Sequence, residues 1–209
     1  MNLETSTKVQ LAADTYRLSV NRDLPTTLVT MGLDDSRVQE AIEFLDARQG
    51  GFDSGAFLDR FFSRISPTPL RKTRFSDGST PVYYGALEPE TAQAEVKHWI
   101  LKEVDQYPAD RLYYQLFRCA FSGEIVDASG SVVDFPWLVA NDGYGQCNQL
   151  ARDAIRLQLD GLLTKSARCQ DGKCLPVFRR TALSNAQPQE HFCFSIDRAA
   201  VSVHIAPAG

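Results

Sequence analysis

RFSDGSTPVYYGALEPETAQAE, residues 74–95, changes its local character twice, and its reading decides the fold. SDGST is a turn by its Ser, Asp and Gly content. PVYYGAL has the β-branched and aromatic residues of a strand. From Pro89, whose fixed φ suits a first helical turn, EPETAQAEVKHWILKEV carries Ala92, Val96, Trp99 and Ile100 at three- and four-residue spacing, the pattern of a helix with one buried stripe. Glu95, three residues after Ala92, falls on the edge of that stripe. A carboxylate there must be paired, hydrogen-bonded or open to a cavity, because burying it alone costs several kcal/mol. A structural pair with a nearby arginine meets that requirement as well as a functional site does.

Downstream, LYYQLFRCAF and EIVDAS read as strands and DFPWLV as a short helix. After the NDGYG turn, a longer helix places Cys147, Leu150, Ala151, Ala154 and Ile155 on one face. DGLLTKSAR, KCLPVFRR, EHFCFSI and AVSVHIA give strands to the end. Upstream, DTYRLSV reads as a short strand after a polar, mobile opening dozen residues. DDSRVQEAIEFLDARQ reads as a helix capped by Asp34 or Asp35, with Val38, Ile42 and Leu45 at helical spacing, and FLDRFFSRI as a second short helical piece stopped by SPTPL. Strands outnumber helices and cluster toward the C-terminus, which predicts an α+β fold with a mainly antiparallel mixed sheet and flanking helices. Residues 1–65 read as a partly helical N-terminal extension packed on a core domain of residues 66–209.

A chain of 209 residues with 44% hydrophobic and 23% charged residues can bury a core. Its net charge of −4 gives no general basic field for nucleic acid, although a few arginines converging locally would bind a phosphate-bearing small molecule. Arg71, Arg74, Arg118, Arg152, Arg156, Arg168, Arg179 and Arg180 are the candidates, most of them expected at the surface. No apolar run approaches the roughly 18 residues of a membrane span and the start lacks a secretory pattern, so the expectation is a cytoplasmic protein without membrane contact. Five cysteines without zinc spacing suit free thiols in a reducing compartment, and no metal is expected.

Arg74 begins the turn, Tyr84 lies in the strand and Glu95 sits on the helix, so three residues suited to a nucleotide can meet at one edge. Arginine clamps phosphate in bidentate fashion, tyrosine offers a face to a flat heterocycle, and a carboxylate accepts ribose hydroxyls or stabilises positive charge. Such a set suits cleavage of an N-glycosidic bond. His98 follows Glu95 by three residues but reads as structural, and Ser166 has no triad context for a nucleophile.

RFSDG, VYYGA and ETAQAE, with the later DGLLTKSAR, resemble the RES domain, named for an Arg, a Glu and a Ser. The likeness covers roughly residues 66–180, and YGQCNQLARDA resembles the helix that precedes the family's serine. The resemblance implies Arg74, Glu95 and Ser166 as signature residues and Tyr84 as the active-site tyrosine. It implies a fold similar to that of the ADP-ribosyltransferase toxins, and a toxin of a bacterial toxin–antitoxin module that consumes NAD by hydrolysis or phosphorolysis at the nicotinamide bond. NAD is then the substrate and inorganic phosphate a candidate co-substrate, with Arg74 on the pyrophosphate, Tyr84 over the nicotinamide, Glu95 at the developing charge, and Ser166 and Arg168 on phosphate. The implied partner is a helix-turn-helix antitoxin, or another immunity protein, that can block the pocket. The long segment before residue 66 exceeds a minimal RES toxin and is a candidate for capping the pocket or for self-association into a homo-oligomer. A protein mono-ADP-ribosyltransferase using the same pocket, and a non-catalytic interaction module, are the alternative readings.

Overall fold

The computed structural model describes residues 1–20, 34, 36–38, 40–41, 44, 52–63, 72–107 and 109–208. Its strands are β1 (Lys8–Val20), β2 (Tyr83–Ala86), β3 (Arg111–Asp127), β4 (Gly161–Lys165), β5 (Lys173–Val177), β6 (Leu183–Asp197) and β7 (Ser202–Pro207). The helices that bear on the site are α1 (Ser54–Phe62), α2 (Pro89–Lys102) and α3 (Gly145–Arg156). The fold is α+β around one seven-stranded mixed sheet, and only the β3–β4 pairing is parallel among the described strands. The helix read over residues 34–49 lies largely outside the described residues. Ser36, Arg37 and Val38 are helical there, and Val38 is buried.

The pairings close on themselves. β1 pairs with both β2 and β3, while β5 and β4 link β2 back to β3, so five strands form a hydrogen-bonded ring from which β6 and β7 extend. The short strand read at DTYRLSV is in fact the C-terminal half of β1, which runs antiparallel to β3 from Lys8 opposite Val126 to Val20 opposite Tyr114. The opening dozen residues were expected to be mobile, but from Lys8 onward they belong to this ladder.

β3 likewise joins what the sequence divides into two strands. Ser122 and Gly123 look like a break, yet Gly123 sits inside the strand because Asp160 crosses it. A Cβ on Gly123 would come within 2.6 Å of the Asp160 side chain, whose carboxylate accepts the Glu124 N–H at 2.8 Å. Here glycine records close approach rather than a turn.

Three packed regions hold the helices to the sheet. Phe57 and Leu58 of α1 join Tyr83, Cys119, Phe121, Leu175 and Val177. Cys147, Leu150, Ala151 and Ala154 of α3, the face expected from its periodicity, pack on Val126, Leu159 and Leu162. Ala92 and Ile100 of α2 pack on Leu18, Leu116 and Phe194. α2 is thereby laid against β1 and β2.

Candidate active site

A cleft of about 240 Å³ lies between β1, β2, α2 and the Arg74 turn. Arg74, Tyr84, Glu95 and Arg168 all line it, together with Arg17, Trp99, Tyr144 and Cys174. Ser166 stands directly behind Glu95. Its hydroxyl donates to Glu95 Oε1 at 2.7 Å and accepts the backbone N–H groups of Arg168 (3.0 Å) and Cys169 (3.1 Å). One donor and two acceptor positions are all a serine hydroxyl has, so this buried group is fully engaged within the protein. Glu95 is thus no orphan, and among the described residues it is not half of an arginine ion pair. It is a half-buried carboxylate held by a neutral donor and facing a cleft. The Cys174 thiol approaches the same Oε1 at 3.6 Å, and burial together with the nearby carboxylate pushes its pKa up, so the thiol stays protonated.

Tyr84 organises the opposite wall. Its hydroxyl accepts the Phe75 N–H at 2.9 Å and makes a short hydrogen bond with the Thr73 hydroxyl, while Asn148 of α3 donates to the carbonyls of Thr73 (3.0 Å) and Arg74 (2.7 Å). The turn carrying Arg74 is therefore tied to a strand on one side and a helix on the other. Burial pushes the Tyr84 hydroxyl up to about 12, so it remains a neutral hydrogen-bonding group.

Three guanidinium groups reach the cleft. Arg74 donates from one nitrogen to the Ala140 carbonyl at 3.0 Å and lies 5.6 Å from the Tyr144 ring centroid. Arg168 bonds to the Asn141 side chain. Arg17 donates to the Tyr84 carbonyl at 2.9 Å and stacks over Phe61 at 4.4 Å and Tyr83 at 5.4 Å. In each of the three, Nε is buried and has no hydrogen-bond partner among the described residues. Burial lowers the pKa of Arg17 and Arg168, the direction expected when a cation is desolvated. Three guanidinium groups on one cleft give it the positive charge that suits an anion.

The other arginines of the sequence list, where described, pair elsewhere: Arg118 with Asp14, Arg152 with Asp77, Arg156 with Glu4, Arg179 with Asp160 and Arg180 with Asp59. Arg71 lies outside the described residues. His98 has a buried Nε2 without a partner, and burial, then the charge of Arg168, lowers its pKa.

Sequence reasoning missed Arg17 and Tyr144. No spacing rule links position 17 to residues 74–95. Only the β1–β2 pairing, with Tyr16 opposite Ala86, brings Arg17 to the site. Tyr144 was legible as part of a turn and not as a wall of the cleft.

A model of the RES domain matches residues 51–197. The chain belongs to the RES domain family. The match includes Arg74, Tyr84, Glu95 and Ser166 and leaves Arg17, with the rest of β1, outside it. No curated protein sequence matches the chain. Among solved structures, a chain from the M. tuberculosis MbcT–MbcA toxin–antitoxin complex is similar at a TM-score of 0.46 and 13% identity, covering 93% of this chain and 89% of that one. Within the RES segment, residues separated by up to 92 positions, Arg74 to Ser166, share one site.

Proposed function

We propose that this RES domain cleaves the bond between nicotinamide and ribose in NAD and acts as a growth-arresting toxin held in check by an antitoxin. The observation that carries the reading is one oriented carboxylate, Glu95, facing a cleft in which Arg17, Arg74 and Arg168 each hold an unmatched buried Nε. Membership of the RES family supports NAD as the substrate. The volume agrees with a partial fit. Pockets enclosing a drug-sized ligand measure roughly 300–1,000 Å³, so a cleft of about 240 Å³ takes the nicotinamide riboside half of NAD and leaves the adenosine half nearer the surface.

In the reaction, the C1′–N bond breaks and its electron pair leaves with nicotinamide, which departs neutral. The ribose then carries the positive charge, and Glu95 stabilises it more strongly in the transition state than in the ground state. The guanidinium groups hold the pyrophosphate so that the sugar meets Glu95 in a fixed pose. An oxygen of water or inorganic phosphate forms the new bond at C1′ and releases its proton to solvent. Ser166 orients Glu95 rather than attacking, since both lone pairs of its hydroxyl oxygen accept backbone N–H groups and none is left for a nucleophile.

The test is incubation of the purified protein with NAD, with and without inorganic phosphate, followed by identification of the products. ADP-ribose is the product of hydrolysis and ADP-ribose 1″-phosphate that of phosphorolysis. Intact NAD under both conditions overturns the proposal.

A further inference from the structure

Helix α2 begins in an unusual way. Its N-cap residue is Glu88, yet the Glu88 side chain caps none of the helix's own N–H groups. The carboxylate is directed sideways instead, where Oε2 accepts the Thr91 hydroxyl at 2.8 Å and the backbone N–H of Lys173 at 3.0 Å. Lys173 opens β5, directly after the turn that contains Ser166. The turn is closed internally, with the Ser166 N–H donating to the Gly172 carbonyl at 2.8 Å, and the Leu87 N–H reaches the Lys173 carbonyl at 3.0 Å.

Gly172 also presses on Thr91. A Cβ at Gly172 would lie 2.1 Å from Thr91 Oγ1, a distance only glycine permits. Thr91 itself is 1% exposed. Glu88, Thr91 and Glu95 are spaced three and four residues apart and therefore share a helix face. Along that face Thr91 meets Gly172 and Glu95 meets Ser166, so one turn of chain is gripped at two levels of one helix.

We infer that Glu88 and Thr91 form a latch that docks the 166–172 turn on α2 and thereby sets the hydrogen bond between Ser166 and Glu95. The inference rests on the catalytic reading of Glu95. Glu88 and Thr91 are positioning residues, because neither lines the cleft and both act through the serine turn. The latch is polar and local, so loosening it leaves Arg17 and Arg74, which lie outside the turn, in place, while the carboxylate loses its orientation and Arg168, carried on the turn, loses part of its hold. The consequence is weighted: turnover falls further than substrate affinity, which loses only the share of Arg168.

The test uses Thr91→Val, which keeps shape and removes the hydroxyl, and Thr91→Ser, which keeps the hydroxyl. One readout is hydrogen exchange of the Arg168 and Cys169 amides, which donate to the Ser166 hydroxyl and report on the turn whether or not NAD is consumed. The other is steady-state cleavage of NAD. In Thr91→Val both amides are expected to exchange at least about tenfold faster, with kcat lowered about ten- to a hundredfold, as for a small misplacement of a reacting group, and KM raised by clearly less than kcat falls. Thr91→Ser is expected to behave as wild type in both. Unchanged exchange in Thr91→Val overturns the latch. Faster exchange with unchanged kcat, or with KM rising as far as kcat falls, overturns its catalytic role. If wild-type protein leaves NAD intact, the reading of the reaction fails, while the exchange readout still decides whether the latch exists.

Discussion

Glu95 owes its position to two demands that pull apart. A helix edge beside the sheet favours an apolar residue, while the proposed stabilisation of a positive ribose requires a carboxylate in a partly desolvated cleft. The Ser166 hydroxyl reconciles them by donating one neutral hydrogen bond. Glu95→Gln preserves shape and removes the charge, so turnover is expected to fall by roughly 10²–10³, with NAD affinity by calorimetry nearly retained. Turnover close to wild type would return Glu95 to a structural role. Tyr84 gives a second prediction. Its hydroxyl is held up at about 12, against 10.0 for an unperturbed tyrosine. Between these values the unfolded chain loses a proton that the folded chain keeps, so stability falls as pH rises from about 10 toward 12. This one residue contributes about 2–3 kcal/mol to the loss, and Tyr83, raised for the same reason of burial, adds to it. Urea denaturation of wild type and Tyr84→Phe across this range checks the effect, since the phenylalanine variant loses the part due to Tyr84. Arg74, Tyr84, Glu95 and Ser166 were legible because local motifs carry them. Arg17 was not, because the property that matters, stacking on Phe61 beneath the Tyr84 carbonyl, depends on pairings that no window of sequence contains.

Among the elements, β1 and β2 cross closely beside the cleft. Gly85 of β2 faces Thr15 of β1, and a Cβ on Gly85 would stand 2.9 Å from the Thr15 Cβ and 3.0 Å from Cε1 of the fully buried Tyr83. Neither neighbour is the free end of a flexible side chain, so β1 must shift to admit a methyl group. Gly85→Ala is expected to cost about 1–3 kcal/mol, read as a lower urea midpoint at unchanged slope. An unaltered midpoint would mean that the crossing is slack. The same crossing explains how the elements were read from sequence. The turn, strand and helix of residues 74–102 follow from short-range periodicity and turn chemistry, and the structure has them in that order. β1 was read as only its last half because the opening dozen residues, Lys8 and Gln10 among them, are polar and read as a mobile terminus. The strand exists there because β3 supplies thirteen partners in register.

For the molecule as a whole, the RES match and the sheet have different limits. The match begins at residue 51, whereas the ring of strands needs β1 to close. A fragment of residues 51–209, which keeps β7, lacks β1 and with it the buried Thr15 and Leu18, and leaves one edge of β3 open. It is expected to show no cooperative thermal transition by circular dichroism, and a fragment that melts cooperatively would show that the ring is dispensable. The order in which the ring is made has a consequence for the cell that synthesises this chain. β1 leaves the ribosome first and waits for β3, and the cleft, whose walls run from Tyr16 to Pro176, has no complete form in any shorter nascent chain. Translation therefore acts as a timer: the cleft, and any activity that depends on it, is withheld until most of the chain has emerged.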